Sequence, residues 1–344
     1  MTASGRPAGW RRTATACRWL FIPAALPVAA VSAVRAVPAD WPVLGVQLVA
    51  FTPWLAVPAA AALLMAFAGR SRWQQVLATA LAACQVFWLF PLDIRAPAAG
   101  ATAGAAAGAS GTSVSLVAMS INTELGGADA GSIVALVRDL HVDLLAVEEY
   151  TPEMARKLMA AGLDDLLPHR VAQARDRAAG SAIYSSYNLT ATSVLPDTRF
   201  AMPVARLDLG SGAGLRVVAV HALAPVGKGL SQWRSDLAAV ARAADGSGPL
   251  LLAGDFNATY DHREFRDLLA GTGGNLPLVD VAAAVGSRLV PTWPMRGFRL
   301  PGIALDHLVT SPDIRASDYS VHRVGGTDHA AVAATLTVRV SQCS

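Results

Sequence analysis

Between residues 19 and 92 the chain carries three long apolar stretches, and these constrain it more than any other feature. Residues 19–37 read WLFIPAALPVAAVSAVRAV, residues 43–68 read VLGVQLVAFTPWLAVPAAAALLMAFA, and residues 74–92 read QQVLATALAACQVFWLFPL. A helix that crosses a bilayer needs roughly 20 mostly apolar residues. The second and third stretches hold no charged side chain. The first is interrupted by Pro23 and Pro27 and contains Arg35. Its basic start resembles a secretory signal, but two further apolar stretches follow, so the expectation is a retained first helix and three transmembrane helices in residues 1–95.

The charges follow the same division. The first hundred residues contain eight arginines and only two acids, Asp40 and Asp93, which leaves 20 basic and 23 acidic residues in the remainder. Arg6, Arg11, Arg12 and Arg18 precede the first stretch, and Arg70 and Arg72 lie between the second and third. Basic loops stay in the cytoplasm, so three crossings place everything after residue 93 outside it. The part that follows is mildly acidic, with Lys157 and Lys228 as its only lysines. That balance argues against a protein that grips nucleic-acid phosphates over a broad basic face. The three cysteines, Cys17, Cys84 and Cys343, form no disulfide or metal-binding pattern.

Residues 96–112, APAAGATAGAAAGASGT, are uncharged and Ala/Gly-rich, the composition of a flexible tether. From residue 113 to 340 the texture changes. Short β-type runs (SVSLVAMSI, VDLLAV, GSAIYSS, LTATSVL, LRVVAVHA, PLLLAG, LDHLVTS and AVAATLTVRV) alternate with helical segments at 129–140, 152–162, 230–244 and 262–270. Many strands with a few interleaved helices indicate an α/β sandwich whose sheets are covered by helices. Several strands end in polar residues that a core would not accept. Asn122 and Glu124 follow the first, and Glu148 and Glu149 the second. His221 ends LRVVAV, Asp255 and Asn257 follow PLLLAG, Asp306 and His307 open LDHLVTS, and Asp328 and His329 precede the last strand. Charge at strand ends is the usual setting of a site.

Taken together, GDFN at 254–257, LDH at 305–307 and TDH at 327–329, in this order, resemble the endonuclease/exonuclease/phosphatase superfamily. The resemblance runs from about residue 113 to 340. It implies a four-layered αββα sandwich that cleaves phosphoester bonds with a divalent metal, Mg²⁺ or Mn²⁺. It implies Glu149 in AVEEY as a metal ligand, with Asn122 beside it and Asp328 supporting the metal or the hydrogen-bond net. Asp255 would position or deprotonate the attacking water, Asn257 would bond a phosphate oxygen, and His221 would lie on the phosphate. His329 would neutralise charge on the phosphoryl oxygens, with Asp306 fixing its tautomer. Glu148 stands where many members have Gln and reads as a solvated neighbour, and the role of Glu124 stays open. His307 reads as structural and Trp293 as core.

Three spans joined to such a domain also resemble VanJ-type membrane proteins of actinobacteria, associated with glycopeptide resistance. That resemblance implies hydrolysis of undecaprenyl pyrophosphate or a related cell-wall lipid phosphate on the outer membrane face, with the membrane itself as partner. The alternatives are a membrane-tethered extracellular nuclease, a phospholipid phosphodiesterase and a non-catalytic binding module.

Overall fold

A computed structural model describes residues 8–91, 112–210, 212–246, 248–271 and 276–340. In chain order the helices are α1 (Ala8–Ala36), α2 (Val43–Val49), α3 (Ala56–Gly69), α4 (Arg72–Leu89), α5 (Ala130–Asp139), α6 (Pro152–Ala160), α7 (Leu163–Leu166), α8 (Leu230–Arg242), α9 (Arg263–Ala270) and α10 (Val281–Ala284). The strands are β1 (Thr112–Asn122), β2 (Leu144–Glu148), β3 (His169–Gln173), β4 (Ser181–Ser185), β5 (Leu189–Val194), β6 (Pro203–Gly210), β7 (Ala213–His221), β8 (Leu250–Asp255), β9 (Val279–Asp280), β10 (Asp306–Thr310), β11 (Arg315–Arg323) and β12 (Ala330–Val340). The chain forms two compact units, Met1–Asp93 with Asp261–Arg263, and Ile94–Tyr260 with Glu264–Ser344.

Among the described residues two helical segments of the N-terminal unit, Arg12–Ala36 and Thr52–Gly69, are long and apolar enough to cross a membrane, rather than the three expected. The third stretch is helical as α4, but it starts at Arg72 and carries Gln74 and Gln85 on its buried face. Gln85 Nε2 donates to Ser32 Oγ at 3.0 Å, and Gln74 Nε2 donates to the Arg18 carbonyl at 2.9 Å. Such polar content lowers its hydropathy and serves helix–helix contact. The second stretch is not one helix. A 3₁₀ turn at Thr52–Leu55, with Pro53 at its start, separates α2 from α3. By contrast Pro23 and Pro27 lie inside an unbroken α1. The core of this unit is built from Phe21, Ala25, Val28, Ala59, Ala62, Ala66, Ala78 and Leu81. Small residues let helix backbones approach closely, which is how helices pack where water supplies no driving force.

The second unit is built on two six-stranded sheets, ordered β11-β12-β1-β2-β4-β3 and β5-β6-β7-β8-β10-β9. Leu116, Leu144, Ile183 and Leu336 of the first sheet pack with Leu215, Val217, Leu251 and Leu308 of the second to form the central core. The outer face of the first sheet, with Met119, Ile121, Leu145 and Val147, is covered by Ile133, Val134 and Val137 of α5 and Met154 and Leu158 of α6. On the second sheet the fully buried Trp233 of α8 donates its indole N–H to the Phe256 carbonyl at 3.2 Å, and Phe265 of α9 meets Phe256 edge-on. This is the expected α/β sandwich. Residues 96–111 of the expected tether lie outside the described residues; Thr112 already belongs to β1.

Local signals account for the helices that flank the site. Asp129 caps α5 by accepting from Gly131 N at 3.0 Å and Ser132 Oγ at 2.8 Å. Thr151 caps α6 by accepting from Met154 N at 3.1 Å, with Pro152 in the first turn. One glycine is obligatory. Gly254 has φ +150°, and a Cβ there would lie 1.9 Å from the Val220 carbonyl oxygen. The strands β7 and β8 are parallel neighbours with Val220 opposite Gly254, so the clash is between backbones that cannot separate without breaking the ladder. Gly254→Ala should therefore destabilise the domain by about 2–4 kcal/mol, the range of a forced overpacking at a special backbone position. Chemical denaturation checks this, and a loss under about 0.5 kcal/mol, typical of a tolerated surface change, would show that the ladder yields.

Candidate active site

The period of two along a strand explains why the polar residues meet. Leu116 and Ala118 of β1 face the central core, so Asn122 at the strand end shares their face. The same parity relates Leu144 and Ala146 to Glu148, Leu215, Val217 and Ala219 to His221, Leu251 and Ala253 to Asp255, and Leu308 to Asp306. The strands β1 and β2 run parallel, as do β7 and β8, while β10 is antiparallel to β8 with Asp306 opposite Asp255. The strand ends that carry these residues therefore lie at one edge of the sandwich, where the two inner faces open.

Asn122 is the bridge. Its Nδ2 donates to Asp255 Oδ2 at 3.1 Å and to Glu149 Oε1 at 3.4 Å, while its Oδ1 accepts from Glu124 N at 2.9 Å. The last bond fixes which way the amide points. Glu149 follows the end of β2 at φ +53°, a turn that swings it into the mouth, and its other oxygen accepts from Leu125 N at 2.5 Å. Asp255 is 1% exposed. It also accepts from Asn257 N at 2.8 Å and Asn257 Nδ2 at 3.1 Å. Burial, only partly opposed by His329, pushes its carboxyl up to about 6.

His329 is held from the opposite side. Its Nδ1 lies 3.0 and 3.1 Å from the two oxygens of Asp306. Burial alone would lower its pKa, but the Asp306 and Asp255 carboxylates override this and raise it to about 10. The ring is an imidazolium at neutral pH. Its Nε2 stands 3.8 Å from Asp255 Oδ2 and 3.9 Å from Asp328 Oδ1, beyond hydrogen-bond reach of either. Thr327 Oγ1 donates to the Asn122 carbonyl at 2.8 Å and accepts from His329 N at 3.1 Å, so the TDH segment is pinned to the end of β1.

Other expected residues are placed differently from the sequence reading. Asn257 Nδ2 donates to the Ala222 carbonyl at 3.0 Å as well as to Asp255, so both amide protons are engaged in clamping the ends of β7 and β8. A bond to phosphate requires exchange of one of them. Asp328 faces Trp293 and His329 rather than Glu149. Its Oδ2 accepts from Trp293 Nε1 at 2.9 Å, which makes it part of the hydrogen-bond net and makes Trp293 more than core. His221 is buried, and burial pulls it down to about 4, so it is a neutral ring. It stacks on Phe200 at 4.4 Å between centroids and 18° between planes, and its Nε2 lies 3.8 Å from Glu149 Oε1. Phe200 was not legible as a site residue, because it lies in the loop between β5 and β6 and not at one of the strand ends that carry the motifs.

Glu148 is not a solvated neighbour. It is fully buried, and Ser120 Oγ is 3.1 Å from both its oxygens. Burial, then the Asp306 and Asp255 carboxylates, push its carboxyl well above the usual range. Glu124 pairs with Arg296 across the mouth. His307 is structural as expected. It bridges Asp280 at 3.3 Å and the Ala258 carbonyl at 2.9 Å on the opposite face of β10.

A family model described as the Endonuclease/Exonuclease/phosphatase family matches residues 119–329, more than half the chain. The chain belongs to this family. Solved structures agree in fold. An endonuclease/exonuclease/phosphatase from Beutenbergia cavernae superposes with a TM-score of 0.50 at 17% identity, over 65% of this chain and 72% of that one. Truncated TDP2 from Caenorhabditis elegans gives 0.51 at 15%, over 64% and 97%. TDP2 from D. rerio complexed with single strand DNA product gives 0.50 at 16%, over 64% and 98%. No curated protein matches the sequence.

Members of the endonuclease/exonuclease/phosphatase family are metal-dependent hydrolases, and this chain is an enzyme of that kind acting on phosphoric esters. The residues fit a divalent cation. Glu149 offers the hard carboxylate oxygen such an ion prefers, beside Asn122 and within 3.8 Å of His221. A second grouping, Asp255, Asp306 and His329, also brings potential ligand atoms within 4.8 Å of one another. It suits a cation less, because the His329 ring is itself an imidazolium and its Nδ1–H is bound to Asp306.

These charges set a pH profile. Asp255 becomes a carboxylate as pH rises through about 6, and His329 loses its proton near 10. Turnover of a small phosphodiester such as bis(p-nitrophenyl) phosphate should rise across the first value and fall across the second. Asp306→Asn removes the largest charge that raises His329, so the alkaline limb of kcat/KM should move to lower pH. An unmoved limb would assign it to another group. Stability follows the same sign. The folded pKa of His329 lies above the ordinary 6.5, so its contribution is complete below pH 6.5 and lost as pH rises through about 10.

Proposed function

We propose that this protein is a membrane-anchored phosphohydrolase whose catalytic domain lies outside the cytoplasm and cleaves a lipid-linked phosphate, with undecaprenyl pyrophosphate or a related cell-wall lipid phosphate as its substrate. The observation that carries the reading is the buried cluster of Asp255, Asp306 and His329 on a chain that also holds two helices long and apolar enough to cross a membrane. The arginine distribution around the apolar stretches supports the orientation. The resemblance to VanJ-type proteins supports the link to glycopeptide resistance, and the third apolar helix, α4, belongs to the anchor as a span or as a partner of the other two.

The chemistry follows from the geometry. Glu149, with Asn122 beside it, would hold the divalent metal, and the metal would supply charge neutralisation for the phosphate and for the leaving oxygen. Asp255, a carboxylate above about pH 6, orients the attacking water and accepts its proton. The imidazolium of His329 donates Nε2–H to a phosphoryl oxygen as negative charge grows there, and Asp306 keeps that proton inventory in place. His221, neutral and stacked on Phe200, offers a hydrogen bond without adding charge. Asn257 holds Asp255 and the end of β7 together. Positioned charge suffices for such a transfer, which needs little covalent help.

A nuclease reading has one observation in its favour, the likeness in fold to TDP2, one structure of which carries single strand DNA product. The test is parallel turnover by the full-length enzyme in detergent with Mg²⁺, using a polyprenyl pyrophosphate and plasmid or single-stranded DNA. Phosphate release from the lipid with intact DNA is expected, and cut DNA without lipid turnover would replace this proposal with the nuclease. Asp255→Ala and His329→Ala should each lower turnover by at least about 10²-fold, the usual scale of lost acid–base or electrostatic help. A reporter fused after residue 344 should read as extracytoplasmic.

A further inference from the structure

Residues 296–301, Arg-Gly-Phe-Arg-Leu-Pro, form an unbroken exposed run in the loop between α10 and β10. Phe298 is 85% exposed, more than any other large apolar side chain described, and Leu300 is 56% exposed. Water gains nothing from such groups, and a monomeric surface seldom gathers them at one tip. From residue 281 to 305 the chain has three arginines, Arg288, Arg296 and Arg299, and no acid. Arg288 turns inward toward the Tyr260 ring, so Arg296 and Arg299 are the ones that flank Phe298 at the surface.

The foot of this loop is fixed to the active site. Met295 N donates to the Asp328 carbonyl at 2.7 Å, Trp293 Nε1 donates to Asp328 Oδ2 at 2.9 Å, and Trp293 pairs with Ile303 in both directions at 3.0 and 2.8 Å. Arg296 reaches across the mouth to Glu124. Next to Glu124, Leu125 is 53% exposed while its backbone N–H binds Glu149. Two apolar projections, one on each side of the mouth, are thus joined through the Glu124–Arg296 pair to the residues that hold metal and phosphate.

We propose that this rim is a lipid-surface contact. Phe298 and Leu300 enter the headgroup–acyl boundary of a bilayer, Arg299 pairs with anionic headgroups, and Leu125 rests on the same surface, so that the mouth opens onto the membrane plane. Charge complementarity favours an anionic bilayer as the occupant. Aliphatic Leu300 and Leu125 favour lipid over the bases of a single strand, which take aromatic stacking partners. The inference rests on the chain working at a membrane, and it is independent of which phosphate is cleaved.

The test uses the full chain in lipid nanodiscs, with Cys17, Cys84 and Cys343 changed to Ser and a nitroxide placed at Phe298→Cys. A second sample carries the label at Ser193→Cys, an exposed position on β5. Collision rates are measured with oxygen, which concentrates in lipid, and with a nickel chelate, which stays in water. In discs containing phosphatidylglycerol the label at 298 should favour oxygen and the label at 193 the chelate. Thermal melting confirms that each labelled chain is folded. Adding Arg299→Glu should weaken engagement of the tip about fivefold or more, the ~1 kcal/mol of one basic residue near an anionic surface. A label at 298 as open to the chelate as that at 193 overturns the proposal. So does a label shielded from both reagents in detergent, which would indicate a protein partner. A loss of oxygen preference only on adding single-stranded DNA would support the proposal, since the tip must first have been in lipid. The label reports position rather than turnover. A lipid-seated tip on an enzyme that leaves polyprenyl pyrophosphate intact would remove the substrate reading and keep this one.

Discussion

The structure of the catalytic unit depends on mutual compensation among charges that could not be buried singly. Asp255 and Asp306 are each 1% exposed, and an isolated carboxylate in such a place would be driven to its neutral form. His329 supplies the positive charge between them, and Asn122 and Asn257 supply neutral donors. Removal of any one leaves the others as uncompensated buried groups, so the site is also the place where the two sheets are most expensive to misassemble. The residual imbalance is what gives the site its chemistry. Asp255 is left less acidic than usual and His329 more basic, which separates the proton acceptor from the permanent cation.

That arrangement is possible because the sandwich has an edge where both inner faces end together. The core between the sheets is apolar until its last layer, where Asn122, Glu148, His221, Asp255 and Asp306 replace the leucines and alanines of the same strand faces. Glycine at 254 lets β7 and β8 stay in register as the chain delivers Asp255. Glu149 and Asn257, both at positive φ just beyond their strands, turn back over the mouth. The loop from 292 to 303 then closes one side. It couples Thr292, which accepts from Leu305 N and Asp306 N, and Trp293, which holds Asp328, to the exposed tip around Phe298.

Two of the strands that were hidden in the sequence share a physical cause. β3 and β11 are the two edges of the first sheet, and HRVAQ and RASDYSVHR carry the polar, partly exposed faces that edge strands need. β6, PVARLDLG, alternates cleanly in burial and was legible in principle. In the N-terminal unit, apolar composition located the helices, but it missed that α2 and α3 are separated by a turn and that α4 keeps glutamines for contacts within its own unit.

The sequence by itself marked eight of the strands in the two sheets and the polar groups at their ends, because strand parity and short motifs such as GDFN, LDH and TDH are local properties of the chain. Only the tertiary structure decided the state and partners of those residues. Glu148 holds its proton more tightly because it lies on the inner face of β2, His221 is neutral because it is buried against Phe200, and Asp328 joins Trp293 because a loop more than thirty residues away in sequence returns to it. Protonation and pairing depend on what surrounds a group in space, and no spacing along the chain encodes that surrounding directly.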